Sequence, residues 1–217
     1  VILGMDTRES GVWLAESVAA GLAARKVEAS FAGVITTPGV AYLARTGEFA
    51  AGVMISASHN PFADNGLKVF DHSGFKMPDD QEVRLERDIY DWLEKGLEPE
   101  RLTLLADESL DRQYVDFLVS TMQTRLVGMK LVVDCANGAA HKLGPELLER
   151  LGAHVTVIGN APDGRNINLN CGSTHLEKLR AAVAELKPDL GIAFDGDADR
   201  ALFISPAGRD IDGDQAF

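Results

Sequence analysis

The chain has 217 residues, with 21 Lys and Arg against 33 Asp and Glu, a formal charge of -12. That balance speaks against a nucleic-acid or anionic-membrane surface, both of which need clustered cations. Apolar residues at 46% and charged residues at 25% match globular proteins rather than disordered ones, and the length suits two modest domains.

Val1–Leu3 reads as a strand, Asp6–Gly11 as a loop, and residues 12–25 as an Ala-rich helix with apolar spacing near 3.6. Ala29–Val34 is the next expected strand, stopped by Thr36-Thr37-Pro38-Gly39. Val40–Thr46 suggests a short helix, and Ala51–Ile55 a strand that runs into the polar stretch SASHNP, residues 56–61. Residues 79–95 carry acids in the first turn and a lysine before Gly96, the pattern of a capped surface helix. A mixed segment over 96–110 then separates this unit from a helical pattern over 111–125.

A second unit follows the same plan. Met129–Val133 is a strand, Asn137-Gly138 a turn, Pro145–Leu151 a helix and His154–Ile158 a strand. A polar loop over 159–175 precedes a helix over 176–186, and strand Leu190–Phe194 runs into DGDADR, residues 195–200. Ala201–Ser205 and Asp210–Ile211 flank a hairpin turn. Alternating strands and helices predict α/β architecture: two similar three-layer α/β/α domains with mixed, mainly parallel sheets, whose sites lie beyond the carboxyl ends of strands. SASHNP and DGDADR both occupy such positions. The expected units are 1–110, 111–209 and, over 210–217, the start of a third. The strand-like opening VILGMDT suggests sequence upstream.

The carboxylates of Asp195, Asp197 and Asp199 recur every second residue, so an extended backbone would put them on one side but too far apart for one ion. A curled loop, which Gly196 and the small Ala198 allow, could bring them to one Mg²⁺ or Ca²⁺; the plain alternative is a solvated acidic turn. An EF-hand is ruled out, because its sixth and twelfth positions hold Arg200 and Pro206. The later run Asp210, Asp212, Asp214 reads as a solvated turn. Ser58, among the small Ser56 and Ala57 and beside His59, could be a hydrolase nucleophile, yet no G-x-S-x-G surrounds it. It could also be part of a hydroxyl-rich turn. A serine opposite three acidic ligands makes best sense as a phosphoserine whose oxygens complete a metal shell.

SASHNP followed by DNGLK (64–68) and DGDADR resembles the α-D-phosphohexomutase superfamily, and DTRESG (6–11) is similar to its arginine loop. VDCANGAA (133–140), DGRNIN (163–168), CGSTH (171–175) and DIDGDQ (210–215) resemble the phosphoglucosamine mutases within it. The resemblance implies that Ser58 is phosphorylated and that Asp195, Asp197 and Asp199 bind Mg²⁺ together with its phosphate. It further implies that Arg8, His59, Lys68 and Arg200 are positive or donor groups near the transferred phosphoryl, with Lys68 or a neighbour as acid or base. The implied reaction interconverts glucosamine 6-phosphate and glucosamine 1-phosphate through a hexosamine 1,6-bisphosphate, feeding UDP-N-acetylglucosamine and cell-wall synthesis. Phosphomannomutase or phosphoglucomutase activity is the alternative within the superfamily.

Family members have four domains and this sequence matches the first two, so the chain alone is expected to be inactive or nearly so. A noncatalytic cation- or phosphosugar-binding fragment, and a dehalogenase-like phosphatase with Asp195 as nucleophile, are the rivals from other classes; the latter leaves SASHNP unexplained. Ala198 stands where many relatives have glycine, which is tolerable if φ there is negative. Cys135 and Cys171, without framework spacing, and His141 and His175 read as structural, and Trp13 and Trp92 as core or boundary residues. The absence of a leader or a long apolar run suggests a cytoplasmic protein. The expected partner is a phosphosugar, with neither nucleic acid nor membrane, and a homodimer is the assembly considered.

Overall fold

The computed structural model describes residues 1–96 and 101–211. Its first sheet contains β1 (Ile2–Met5), β2 (Ser30–Val34), β3 (Ala51–Ile55) and β4 (Leu67–Asp71), in the order β2-β1-β3-β4. β1 pairs in parallel with β2 and β3, and β4 runs antiparallel on the β3 edge. The second sheet contains β5 (Lys130–Asp134), β6 (His154–Ile158), β7 (Leu190–Phe194), β8 (Ala201–Ile204) and β9 (Asp210–Ile211). Its order is β6-β5-β7-β8-β9, again with parallel pairs around the central strand and antiparallel pairs beyond β7. The two sheets therefore repeat one plan, with β3 and β7 in corresponding places.

Near-continuous apolar strands are what a sheet covered on both faces requires. Alternation along each strand divides its side chains between two cores. Ile2, Ala32 and Met54 face α2 (Thr37–Thr46), which contributes Val40, Leu43 and Ala44, whereas Leu3, Phe31, Val53 and Ile55 face α1 (Gly11–Ala24) through Ala15 and Ala19. In the second sheet Leu131, Val133 and Ile192 lie on one side. Val132, Ala193 and Ile204 lie on the other, under Leu179 and Val183 of α6 (Glu177–Leu186). α5 (Ala140–Arg150) packs beside β6.

α4 (Glu108–Thr121) joins the two halves. Leu110 enters the first sheet's core, and Tyr114 and Val115 pack with Leu143 of α5. Tyr42 of α2 stacks on Phe117 with ring centroids 4.2 Å apart.

Four helices differ from the sequence expectation. α4 spans Glu108–Thr121 rather than 111–125, because the Asp107 side chain caps the Ser109 N–H and starts it earlier. α2 begins at Thr37, because Pro38 fits a first turn that needs no N–H from it, and the Thr36 side chain caps the Gly39 N–H. α5 begins at Ala140, with Pro145 inside it, so the proline marks no start. α3 (Asp79–Glu94) starts from Pro78 without a side-chain cap and has no buried residue. Trp92 on it is 51% exposed and Trp13 on α1 is 41% exposed, so neither is a core residue. No described helix is long and apolar enough to cross a membrane. Asp212 and Asp214 lie outside the described residues; Asp210 pairs with Arg180.

Candidate phosphoryl-transfer and metal centre

The corresponding strands β3 and β7 deliver SASHNP and DGDADR to the same place. Beyond Ile55, Ser58 takes the left-handed region at φ 52°, a conformation that costs a residue with a Cβ about 1–2 kcal/mol. The loop is held there from several sides. The Ser58 N–H donates to Ser56 Oγ at 2.9 Å, and Ser56 Oγ donates to the buried Asp6 at 2.5 Å. Arg8, only 1% exposed, donates to the carbonyls of Ser58 and Asn60 at 3.1 and 2.7 Å and pairs with Asp6.

DGDADR curls, as three converging carboxylates demand. The Ala198 N–H donates to the Asp195 carbonyl at 3.0 Å, and the Arg200 N–H to Asp195 Oδ1 at 3.0 Å. One ligand oxygen from each of Asp195, Asp197 and Asp199 then lies within 4.8 Å of the others. Ala198 adopts φ 56°, so the condition of a negative φ for an easily tolerated methyl group is not met, and the methyl is carried in a strained conformation.

Ser58 meets this loop directly. Its hydroxyl donates to Asp195 Oδ2 at 2.6 Å and accepts from Arg200 Nη2 at 2.7 Å. Arg200 Nη2 also lies 2.7 Å from His59 Nδ1. Lys68, on β4, donates to Asp197 at 2.6 Å and to Asp199 at 3.2 Å. All eight residues named from the sequence therefore converge, although Arg8 reaches the serine loop through its carbonyls rather than its hydroxyl.

Two of the three carboxylates are fully buried, and Lys68 and Arg200 set two positive charges against three negative ones. Burial, with the charges of Asp197 and Asp199 behind it, pushes the Asp195 carboxyl upward despite its hydrogen bonds from Ser58 and Arg200. On Asp197 burial acts in the same sense, but the hydrogen bonds from Lys68 and Thr37 and the Lys68 charge outweigh it, so that carboxyl lies below its ordinary range. Burial lowers and the Asp197 and Asp199 contacts raise Lys68, and the contacts prevail. Asp197 Oδ1 is buried without a hydrogen-bond partner. An orphaned carboxylate oxygen beside two further carboxylates is a donor set for a hard divalent cation, so the residues fit Mg²⁺.

Four participants were missed by the sequence reading: Asp6, Ser56, Thr37 and Asn168. Thr37 resembles a strand terminator in sequence, and Asn168 is one polar residue of a long loop; neither carries a local signal of contact with the other half of the molecule.

The fold and this centre define a two-domain α/β/α unit in which a serine hydroxyl from one sheet meets a triple-carboxylate loop from the other. Models of phosphoglucomutase/phosphomannomutase α/β/α domain I and domain II match residues 1–95 and 112–208, and the chain belongs to that family. The phosphoglucosamine mutase of Solibacter usitatus is 55% identical over 214 residues, covering 99% of this chain and 48% of that protein. The phosphoglucosamine mutase of Marinobacter nauticus is 49% identical over 222 residues, again covering 99% and 48%. The chain thus spans about half the length of these curated relatives. Among solved structures, a phosphoglucomutase/phosphomannomutase family protein from Burkholderia thailandensis aligns with TM-score 0.82 at 26% identity, covering 97% of this chain and 47% of that one. The Aspergillus fumigatus N-acetylphosphoglucosamine mutase in complex with GlcNAc-6P and magnesium shares the fold, with TM-score 0.53 at 21% identity over 82% of this chain and 49% of that one.

Proposed function

We propose that this chain supplies the phosphoserine and the metal centre of a phosphoglucosamine mutase, interconverting glucosamine 6-phosphate and glucosamine 1-phosphate. The carrying observation is the contact of the Ser58 hydroxyl with Asp195 and Arg200 in the other half of the molecule. The names of the relatives from Solibacter and Marinobacter support the choice of sugar.

In this reading Ser58 carries the phosphoryl group as a monoester. Transfer breaks the bond between phosphorus and Ser58 Oγ and forms one between phosphorus and a sugar hydroxyl oxygen, giving a hexosamine 1,6-bisphosphate. The hydroxyl proton leaves to a neighbouring base, since Asp197 and Asp199 hold Lys68 protonated and suit it to the acid's role, and Ser58 Oγ, left with the bond's electron pair, is stabilised by Arg200. The bisphosphate turns round and its other phosphoryl returns to Ser58. Asp195, Asp197 and Asp199 would hold Mg²⁺, which supplies neutralisation of the phosphoryl oxygens' charge. Lys68, Arg200 and His59 add positive or donor groups on the same side, and Arg8 fixes the serine loop.

The proposed domains are 1–110 for the phosphoserine loop and 111–209 for the metal loop, with 210–217 opening a third. The rest of a mutase of the relatives' length would recognise the sugar and its second phosphate, so this chain by itself turns over substrate weakly or not at all. A cytoplasmic location accords with a phosphosugar substrate.

Peptide mapping of the full-length protein after incubation with a hexose 1,6-bisphosphate and Mg²⁺ tests the reading. Phosphate on Ser58, removable by phosphatase, is the expected result. An unmodified Ser58 overturns it.

A further inference from the structure

Each half of the molecule holds the other half's working loop. From the first half, Thr37 at the start of α2 donates its hydroxyl to Asp197 Oδ2 and its backbone N–H to the Asp197 carbonyl at 3.0 Å. From the second half, Asn168 donates through Nδ2 to the carbonyls of Ser58 and Asn60, at 2.9 and 3.2 Å. Both residues are buried, at 7% exposure, so water cannot substitute for the lost partner when either is removed. Asn168 is itself anchored by its N–H, which donates to the Ala136 carbonyl at 2.8 Å, in the loop after β5. Thr37 is fixed in the first turn of a helix whose next residues form the first core.

We propose that Thr37 and Asn168 are reciprocal positioning residues. Thr37 orients the Asp197 carboxylate for the cation, and Asn168 holds the strained Ser58 backbone so that its hydroxyl faces Asp195. The proposal rests on the reading of Ser58 and the three aspartates as the phosphoryl-transfer centre. Its geometric logic lies in what each contact constrains. Thr37 grips the metal loop by both a side-chain oxygen and a backbone carbonyl, which sets the rotation of Asp197 as well as its distance. Asn168 joins Arg8 in holding two carbonyls of one turn, and a turn held from both halves cannot pivot about either. Neither Thr37 nor Asn168 contacts the Ser58 hydroxyl or offers a charge of its own, so each acts through another residue.

The test uses Mn²⁺ as the probe ion on the 217-residue chain, with amide hydrogen exchange as a second readout and circular dichroism to verify folding. Thr37→Val keeps the shape and removes the hydroxyl; it is expected to weaken Mn²⁺ binding about tenfold, the effect of one hydrogen bond to a charged group. Thr37→Ser, which retains the hydroxyl, is expected to restore binding. Asn168→Asp replaces a donor with an acceptor facing two carbonyls, and is expected to speed exchange in segment 56–61, in the other half of the molecule, by about tenfold or more. Asn168→Ala provides the same reading should the aspartate variant fail to fold. Unchanged Mn²⁺ affinity in Thr37→Val, no recovery in Thr37→Ser, or unaltered exchange of 56–61 in both Asn168 variants overturns the proposal. If the unmodified chain binds no Mn²⁺, the metal reading of the centre fails and so does the role of Thr37, whereas the exchange measurement still decides that of Asn168.

Discussion

Ser58 Oγ lies 2.6 Å from Asp195 Oδ2, although 137 residues separate them. Asp195 also carries a carboxyl pushed upward by burial and by its acidic neighbours, which a divalent cation would reverse. Asp195→Asn removes the charge while nearly preserving the shape. Its Mg²⁺ affinity, followed by titration calorimetry, is expected to fall more than about a hundredfold, beyond the effect of losing a ligand's supporting partner. The melting temperature of the metal-free protein is expected not to fall, because a repelling buried charge has gone.

Gly196 is required by close approach. A Cβ there would lie 2.5 Å from the Ser58 carbonyl oxygen and 2.8 Å from Asn168 Nδ2, and both atoms belong to the seam between the sheets. Gly196→Ala is therefore expected to destabilise by about 1–3 kcal/mol, seen as a melting temperature lower by several degrees at roughly 2–4 °C per kcal/mol. Mg²⁺ affinity should fall with it. An unchanged melting temperature would mean that the two loops do not approach so closely.

Ala198 presents the opposite case. Its φ of 56° costs alanine about 1–2 kcal/mol, against about 0.4–1 kcal/mol of extra unfolded-state freedom for glycine. Ala198→Gly is expected to stabilise by up to about 1 kcal/mol in urea unfolding. A loss of stability would contradict the left-handed assignment.

The thiols offer a test of burial and of sign. Burial pushes Cys135 up to about 12 and Cys171 up to about 11, from an ordinary 9.0, with the Asp134 charge adding to both. Neither thiol should react with a disulfide reagent at pH 8 until denaturant is added. Because the folded values are raised, the thiols cost no stability below about pH 9, where both states are protonated. Between that and the folded values the unfolded chain ionises first, so stability is expected to decline as pH rises. Cys135→Ser/Cys171→Ser should lessen this decline if it folds. Labelling of the native protein at pH 8 would show that the sites are open.

The exposed indoles show why local pattern misleads on burial. Trp13 sits on a helix whose apolar spacing suggests a packed face yet is 41% exposed, and α3, the expected surface helix, presents Val83, Tyr90, Trp92 and Leu93 to solvent, each more than half exposed. Helical period reports that a face exists, not that anything covers it. Likewise Thr36-Thr37-Pro38 and Pro145 look in the sequence like local punctuation. A proline is tolerated in a helix's first turn, where its missing N–H has no partner to lose, so in α2 it lay inside the element rather than before it.

What the sequence determined by itself was the repeated strand and helix plan, the position of both loops after strands, and Ser58 with the three aspartates as candidates, while Arg8, His59, Lys68 and Arg200 came from the family resemblance. Strand patterning is set by neighbours along the chain, and a serine and regularly spaced acids at such loops carry their own chemical meaning. Only the tertiary structure decided which loop faced which. The positive φ at Ser58 and Ala198, the buried orphan oxygen of Asp197, and the crossed contacts of Thr37 and Asn168 all depend on two sheets meeting through α4 and the loops around it. Those contacts join residues more than a hundred positions apart, and neither residue has a local periodicity or motif that records its partner.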